Sequence, residues 1–300
     1  MLSKFDFSSK FRIANIFSLF IFVASIAFIL FKGLNYGIDF KGGTLIELRT
    51  SSAEAGPIRS ILNNMNLGDT NVKKFGKDGD FLIKVEQKAS SNNKIIPQIK
   101  KNLSENLSTD INFRRVESVG PKVSSELLQS GIIAITLSLA AMLFYIWIRF
   151  EWQFSIGAII ALFHDVIITL GIFSILSLEI NLSIIAAVLT IVGYSMNDTV
   201  VIYDRIRENL NKYNRLNISE IANLSIKDTL ARTIITSVTT LLALISIFIL
   251  GGEILRGFSF AMILGVLIGT YSSIFVASPI LKYFKVNYKT LEKKEEKIVP

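Results

Sequence analysis

Six stretches of about 20 mainly apolar residues leave this chain little choice of fold, because each is long enough to cross the hydrocarbon core of a bilayer as a helix. They run from Ile13 to Phe31, Leu127 to Ile148, Phe154 to Leu178, Leu182 to Ile202, Thr233 to Leu250 and Phe258 to Leu281. A soluble protein must cover its surface with charge, and 300 residues that are 51% hydrophobic, with a mean hydropathy of +0.50, cannot do so. The net charge of +8 would suit a nucleic-acid partner. Its basic residues, however, sit in short clusters beside the apolar runs, where they orient helices, and form no basic face. The absence of cysteine excludes disulfides, thiol catalysis and cysteine-ligated metals.

The first run follows Lys10 and Arg12 as a signal peptide would, but it is long, lacks a small-residue cleavage site and runs into Lys32, so it reads as a retained helix. Lysine and arginine mark Lys4, Lys10 and Arg12 before it, the loop after the fourth run from Arg205 to Lys227, and the tail from Lys282 to Lys297. All three fall on one side, and the opposite short loops offer only Glu179, Glu253 and Arg256. By the positive-inside rule both termini are expected in the cytoplasm, with the long segment between the first two helices on the opposite side of the membrane.

The expected division is therefore a cytoplasmic start at 1–12, a first helix at 13–33, an exported domain at 34–126, helices two to six at 127–281 and a basic cytoplasmic tail at 282–300. Within the exported segment, periodicity predicts a strand over Gly43 to Arg49, a helix over Pro57 to Met65, strands over Asn71 to Phe75 and Asp80 to Glu86 turning at Lys77, Asp78 and Gly79, a helix over Ile95 to Leu107 and a strand over Asp110 to Val116. That order belongs to a small α+β unit of ferredoxin-like type.

The residues that do not belong in a membrane carry the functional information. His164 and Asp165 lie near the middle of the third run, Asn197 and Asp198 in the cytoplasmic half of the fourth, and Arg232 opens the fifth. A central Asp or Arg costs roughly 2.5–3.5 kcal/mol on insertion scales, so such residues must face one another or water. Thr190, Gly193, Tyr194, Asn197 and Asp198 recur on one helical stripe, and Arg232, Thr236, Thr239 and Thr240 on another. The two stripes should face each other rather than lipid, and an ion pair between Asp198 and Arg232 is sterically open. Blander roles compete: Arg232 snorkelling at a helix end, and His164 and Asp165 pointing about 100° apart with no joint action. A single histidine argues against a histidine-built metal site. In the sixth run Ala261, Gly265, Gly269, Ser273 and Ala277 recur at every fourth position, a surface that lets another helix approach closely, in this chain or another.

Gly37-Ile38-Asp39-Phe40-Lys41-Gly42-Gly43-Thr44, directly after the first helix, is similar to the motif that opens the exported domain in the SecD/SecF family of protein-export membrane proteins. The run from Val192 to Asn209, with Asn197-Asp198-Thr199 and Asp204-Arg205-Ile206-Arg207-Glu208-Asn209, resembles the fourth-helix motif of that family's shorter SecF branch. His164-Asp165-Val166, Arg232-Thr233-Ile234 with Thr239-Thr240, and Gly269-Thr270-Tyr271-Ser272-Ser273 match as well, so the resemblance covers nearly the whole chain.

What the resemblance implies is a half-transporter of the resistance-nodulation-division type. It would pair with SecD to give twelve helices, associate with the SecYEG channel and YajC, and use the proton-motive force, with no cofactor, to assist late export of unfolded preproteins. Asp198 and Arg232 are implied in proton movement, with Asn197 beside them; Thr236, Thr239, Thr240, His164 and Asp165 are candidates for a polar relay. Gly37, Asp39, Gly42 and Gly43 form the motif and hinge, and Gly265, Gly269 and Ser273 the packing face. Two alternatives remain: a proton-coupled exporter of small molecules from the same superfamily, and an intramembrane aspartyl protease built on Asp165 and Asp198. The flanking residues are not those associated with such proteases, and no P-loop suggests ATP use.

Overall fold

In the computed structural model, residues 6–51, 54–65, 67–68, 70–74, 78–86, 95–107, 110–213 and 215–295 are described. The chain forms two units: Met1–Leu34 with Ile135–Leu178 and Ser183–Pro300, and Asn35–Ala134 with Glu179–Leu182.

The smaller unit contains β1 (Asn35–Tyr36), α2 (Ile38–Lys41), β2 (Gly43–Thr50), α3 (Ala55–Asn64), β3 (Thr70–Lys74), β4 (Asp80–Val85), α4 (Ile95–Asn106) and β5 (Ile111–Val119). Four strands make an antiparallel sheet in the order β3-β4-β2-β5, the topology of a ferredoxin-like split unit. Alternation explains which face is covered: Ile46, Leu48, Phe81, Ile83, Val85 and Val72 bury against Ile58 and Leu62 of α3 and Ile99 and Leu103 of α4. The register shifts between Glu47 and Leu48, which oppose Arg115 and Phe113 and leave Arg114 as the extra residue. Arg114 lies 3.6 Å from Asp80, the buried carboxylate that also holds Arg49 in a fork of 2.5 and 2.7 Å. The turn expected around Lys77 lies partly outside the described residues.

The remaining helices are α1 (Phe11–Lys32), preceded by a 3₁₀ turn at Ser8–Lys10, then α5 (Pro121–Arg149), α6 (Trp152–Ile175), α7 (Leu182–Lys212), α8 (Ile218–Leu250) and α9 (Gly252–Ser272), a π turn at Ser273–Ala277, α10 (Ser278–Tyr283) and α11 (Tyr288–Glu295). They belong to the larger unit except for residues 121–134 of α5 and Leu182 of α7, which fall in the smaller one. Two-residue strand β6 (Glu179–Ile180) lies between α6 and α7 and belongs to the smaller unit. Six helices are long and apolar enough to cross a membrane, the sixth running from α9 through α10. They divide into two classes: α6, α7 and the sixth span bury 50–56% of their apolar windows, whereas α1, α5 and α8 bury only 11–17% and present their apolar side chains outward.

Two helices outrun the hydrophobic stretches that announced them. α7 continues to Lys212 because its polar end is satisfied by ion pairs: Arg205 with Glu208 and Asp228, Asp204 with Arg149, and Arg207 with Glu151. α8 starts at Ile218, where Asn217 and Glu220 form a reciprocal capping box. The small-residue face of the sixth span packs inside this chain: a Cβ on Gly265 would lie 2.2 Å from Ile191 Cγ1, and one on Gly269 3.0 Å from Ser195 Cβ. Pro279, at the start of α10, has no N–H to donate backward, and the π turn precedes it.

Candidate functional site

Asp198 is almost fully buried on α7, and its Oδ2 lies 3.4 Å from the hydroxyl of Thr270 on α9. Thr270 in turn shares a 2.8 Å hydrogen bond with Ser237 on α8. Three spans thus converge on one carboxylate through hydroxyl groups, which can donate or accept as the charge of that carboxylate requires.

Arg232 stands on the outward side of α8, exposed, and among the described residues no ion pair within 4.0 Å joins it to Asp198 or to any other carboxylate. The ion pair that the sequence left open is therefore not formed in this arrangement. Asn197 is also exposed, because one residue along a helix turns the side chain by about 100° away from the buried face that Asp198 occupies. Thr236 and Thr239 bond back to the carbonyls of Arg232, Thr233, Ile235 and Thr236 on their own helix instead of reaching across it. Thr240 is half-buried.

His164 and Asp165 are brought together despite their adjacency: His164 Nδ1 lies 2.9 Å from Asp165 Oδ1. The other oxygen, Oδ2, accepts hydrogen bonds from Ser195 of α7 at 2.5 Å and Ser272 of α9 at 2.7 Å. Asp165 is fully buried, and Phe22 of α1 stacks parallel to the His164 ring at 6.2 Å. The two aspartates do not share a hydrogen bond. Each is held by its own set of hydroxyls, unlike the proton-sharing pair an aspartyl protease requires.

Three serines and one threonine that complete these sites, Ser195, Ser237, Thr270 and Ser272, were not singled out as site residues by sequence. Their signal was weak. Ser195 precedes Asp198 by nearly one helical turn, and Thr270 and Ser272 lie in the Gly269 to Ser273 motif, but spacing within one helix cannot say which neighbour a hydroxyl meets.

The Gly37 to Gly43 motif sits in the smaller unit as a connector. β1 pairs in parallel with β6, the N–H of Gly37 donates to the carbonyl of Ile180 at 2.8 Å, and Asp39 Oδ2 accepts from the N–H of Leu182, the first residue of α7, at 2.9 Å. Gly43, at φ +137°, has the carbonyl oxygen of Val85 2.6 Å from where a Cβ would stand, so no other residue fits there. Gly42 adopts φ +76° beside it. Ser273, the third packing residue, donates to the carbonyl of Thr270 at 3.0 Å.

A family model described as the C-terminal region of the protein export membrane proteins SecD and SecF matches residues 99–287, and the SecD/SecF GG motif matches residues 27–54. A protein translocase subunit SecF of Rickettsia rickettsii is 45% identical over 294 residues, covering 96% of both chains, and one from Rickettsia bellii is 46% identical over 282 residues, covering 93% of both. Among solved structures, the translocon-associated membrane protein SecDF of Thermus thermophilus aligns with a TM-score of 0.85 at 35% identity over 94% of this chain. SecDF in its super-membrane-facing form aligns with a TM-score of 0.69 at 33% identity over 97% of it. This chain spans only 38% and 40% of those two longer chains.

Proposed function

The chain belongs to the SecD/SecF family of protein-export membrane proteins, and we propose that it works as the six-helix partner of a SecD subunit, coupling the proton-motive force to late preprotein export. It is a multi-pass protein of the bacterial inner membrane and an accessory subunit of translocation rather than a catalytic enzyme. The partner reading rests on one observation. Gly193 and Asn197 of α7 and Arg232 and Thr239 of α8 are exposed on the apolar spans. Of these, Asn197 and Arg232 carry polar side chains that lipid would leave unpartnered, at roughly 2.5–3.5 kcal/mol for an Arg at the centre of a span on insertion scales. A second membrane subunit that covers this face removes that cost, and the related solved structures are of SecDF, chains of which this one spans 38% and 40%.

Asp198 then holds the transported proton. In the arrangement described, Thr270 donates to it and Arg232 makes no ion pair with it; a second packing of α7 against α8 brings the guanidinium into contact with the carboxylate and favours its ionised form. One charge moved through 100 mV is worth about 2.3 kcal/mol, a roughly fiftyfold bias on such a two-state element. The SecYEG channel and YajC are the further partners of this reading, unfolded preprotein its substrate and the proton gradient its energy source, with both termini in the cytoplasm. Export of precursors into inverted vesicles tests it: Asp198→Asn, at matched membrane levels, abolishes the stimulation that a proton gradient gives wild type. Equal stimulation in the mutant would sink the proton-coupling role.

A further inference from the structure

The fully buried Asp165 is not needed to explain a proton at Asp198, and a carboxylate in such a place carries a desolvation cost that a buried Asn or Ser would avoid. Its position suggests what offsets that cost. The same oxygen, Oδ2, takes one hydroxyl from α7 and one from α9, at 2.5 and 2.7 Å. Ser195 lies three residues before Asp198 on α7, about one turn away, and Ser272 two residues after Thr270 on α9. The two helices joined at Asp165 are therefore the two between which Asp198 and its donor Thr270 meet.

We propose that Asp165 is a positioning residue for the Asp198 site, a single-oxygen clamp on Ser195 and Ser272 that sets the separation of α7 and α9 and with it the Thr270 to Asp198 hydrogen bond. The inference deepens the reading of Asp198 given above and rests on it for its role in export, but not for its geometry. Two hydroxyls on one acceptor make a sensitive clamp, because a slide of about 1 Å between the helices breaks at least one of them. The other contacts between α7 and α9 given above are weaker: Gly265 and Gly269 permit close approach without fixing it, and the 3.4 Å contact at Asp198 is itself long. The ring of His164, stacked by Phe22, engages Oδ1 at 2.9 Å, so both oxygens of Asp165 have partners. Ser272 is also the last residue before the π turn, the segment of the sixth span best suited to a change of register.

The test reads Asp198 directly. In the full chain reconstituted with its SecD partner, the infrared carboxyl band of Asp198 is identified by its loss in Asp198→Asn, and Thr270→Val gives its position when the hydrogen bond is missing. Ser272→Ala, which removes a group touching Asp165 but not Asp198, is expected to move that band in the same direction as Thr270→Val, by at least half as far. Ser246→Ala, an exposed serine bonded to its own helix, leaves it in place. If Ser272→Ala does not accumulate, Asp165→Asn, which preserves shape, carries the same expectation. An unmoved band in the variant that folds overturns the clamp. The band is read without export, so a failure of the proton-coupling reading in the vesicle assay leaves this result standing on its own.

Discussion

Thr270 reaches Oδ2 of Asp198 at 3.4 Å while holding Ser237 at 2.8 Å, so the carboxylate on α7 senses α8 and α9 through one hydroxyl. Replacing that hydroxyl with a methyl keeps the volume and removes the donor. A hydrogen bond to a neutral carboxyl group contributes about 0.5–1.5 kcal/mol. Thr270→Val is therefore expected to lower gradient-stimulated precursor export by up to about tenfold, and Thr270→Ser to retain most of it. Equal export in Thr270→Val and wild type at matched levels would remove Thr270 from the site.

The buried phenol of Tyr203 presents a separate case. Its hydroxyl donates to the carbonyl of Ala277 at 2.9 Å, a buried polar tie from α7 to the π turn of the sixth span. Tyr203→Phe removes that hydrogen bond, at a cost of about 0.5–1.5 kcal/mol. The purified protein is expected to melt a few degrees lower, followed by the fluorescence of its two tryptophans. An unchanged melting temperature would mean that this bond adds nothing to the stability of the packing.

Two glycines on facing helices should behave in opposite ways. A Cβ at Gly265 meets Ile191 at 2.2 Å, so Gly265→Ala forces α9 away from α7 and costs about 1–3 kcal/mol of stability. Gly193 has nothing within 4 Å of its Cβ position and is exposed, so Gly193→Ala gains up to about 1 kcal/mol of helix propensity in the isolated chain. If its face is where SecD docks, the same substitution weakens assembly. Thermal melting of the purified chain and co-purification with SecD separate the two effects. A Gly193→Ala chain that is as stable as wild type and binds SecD equally well would place the docking face elsewhere.

How much of this was legible depended on the physical cost that each residue exposes. The six spans were readable because a run of about 20 apolar residues has few other uses, and Asp198 was readable because a carboxylate inside such a run demands a reason. The sheet of the smaller unit followed from alternation at Ile46 and Leu48 against Glu47 and Arg49. The partners of the two aspartates were not readable. Ser195, Ser237, Thr270 and Ser272 are inexpensive in any helix, where a hydroxyl can bond to its own backbone, as Thr236 and Thr239 do. The stripe of Arg232, Thr236 and Thr239 was a true helical face, but periodicity fixes a face only relative to its own axis. The rotation of α8 about its axis, which leaves Arg232 exposed and without an ion pair to Asp198, is set by packing that no single helix encodes. The same limit hid the ends of α7 and α8, whose charged turns are held by ion pairs and a capping box after the apolar signal has ended.

The last expectation concerns Asp39, which the motif comparison alone would class as a hinge residue. Its Oδ2 accepts from the N–H of Leu182, one of the backbone donors that the first turn of α7 leaves without an intrahelical partner. Such a cap contributes about 0.5–2 kcal/mol, and an acceptor oxygen is what it requires. Asp39→Ala is therefore expected to speed hydrogen exchange at the amide of Leu182 by about tenfold. Asp39→Asn, which keeps an acceptor, should leave the amide close to wild type. If Asn behaved like Ala, the negative charge acting on the helix dipole would be the operative property, and raising the salt concentration would then reproduce the defect in the wild-type chain. If neither substitution changed the exchange, the parallel pairing of β1 with β6 and the Gly37 to Ile180 hydrogen bond would suffice to hold the start of α7 without the carboxylate.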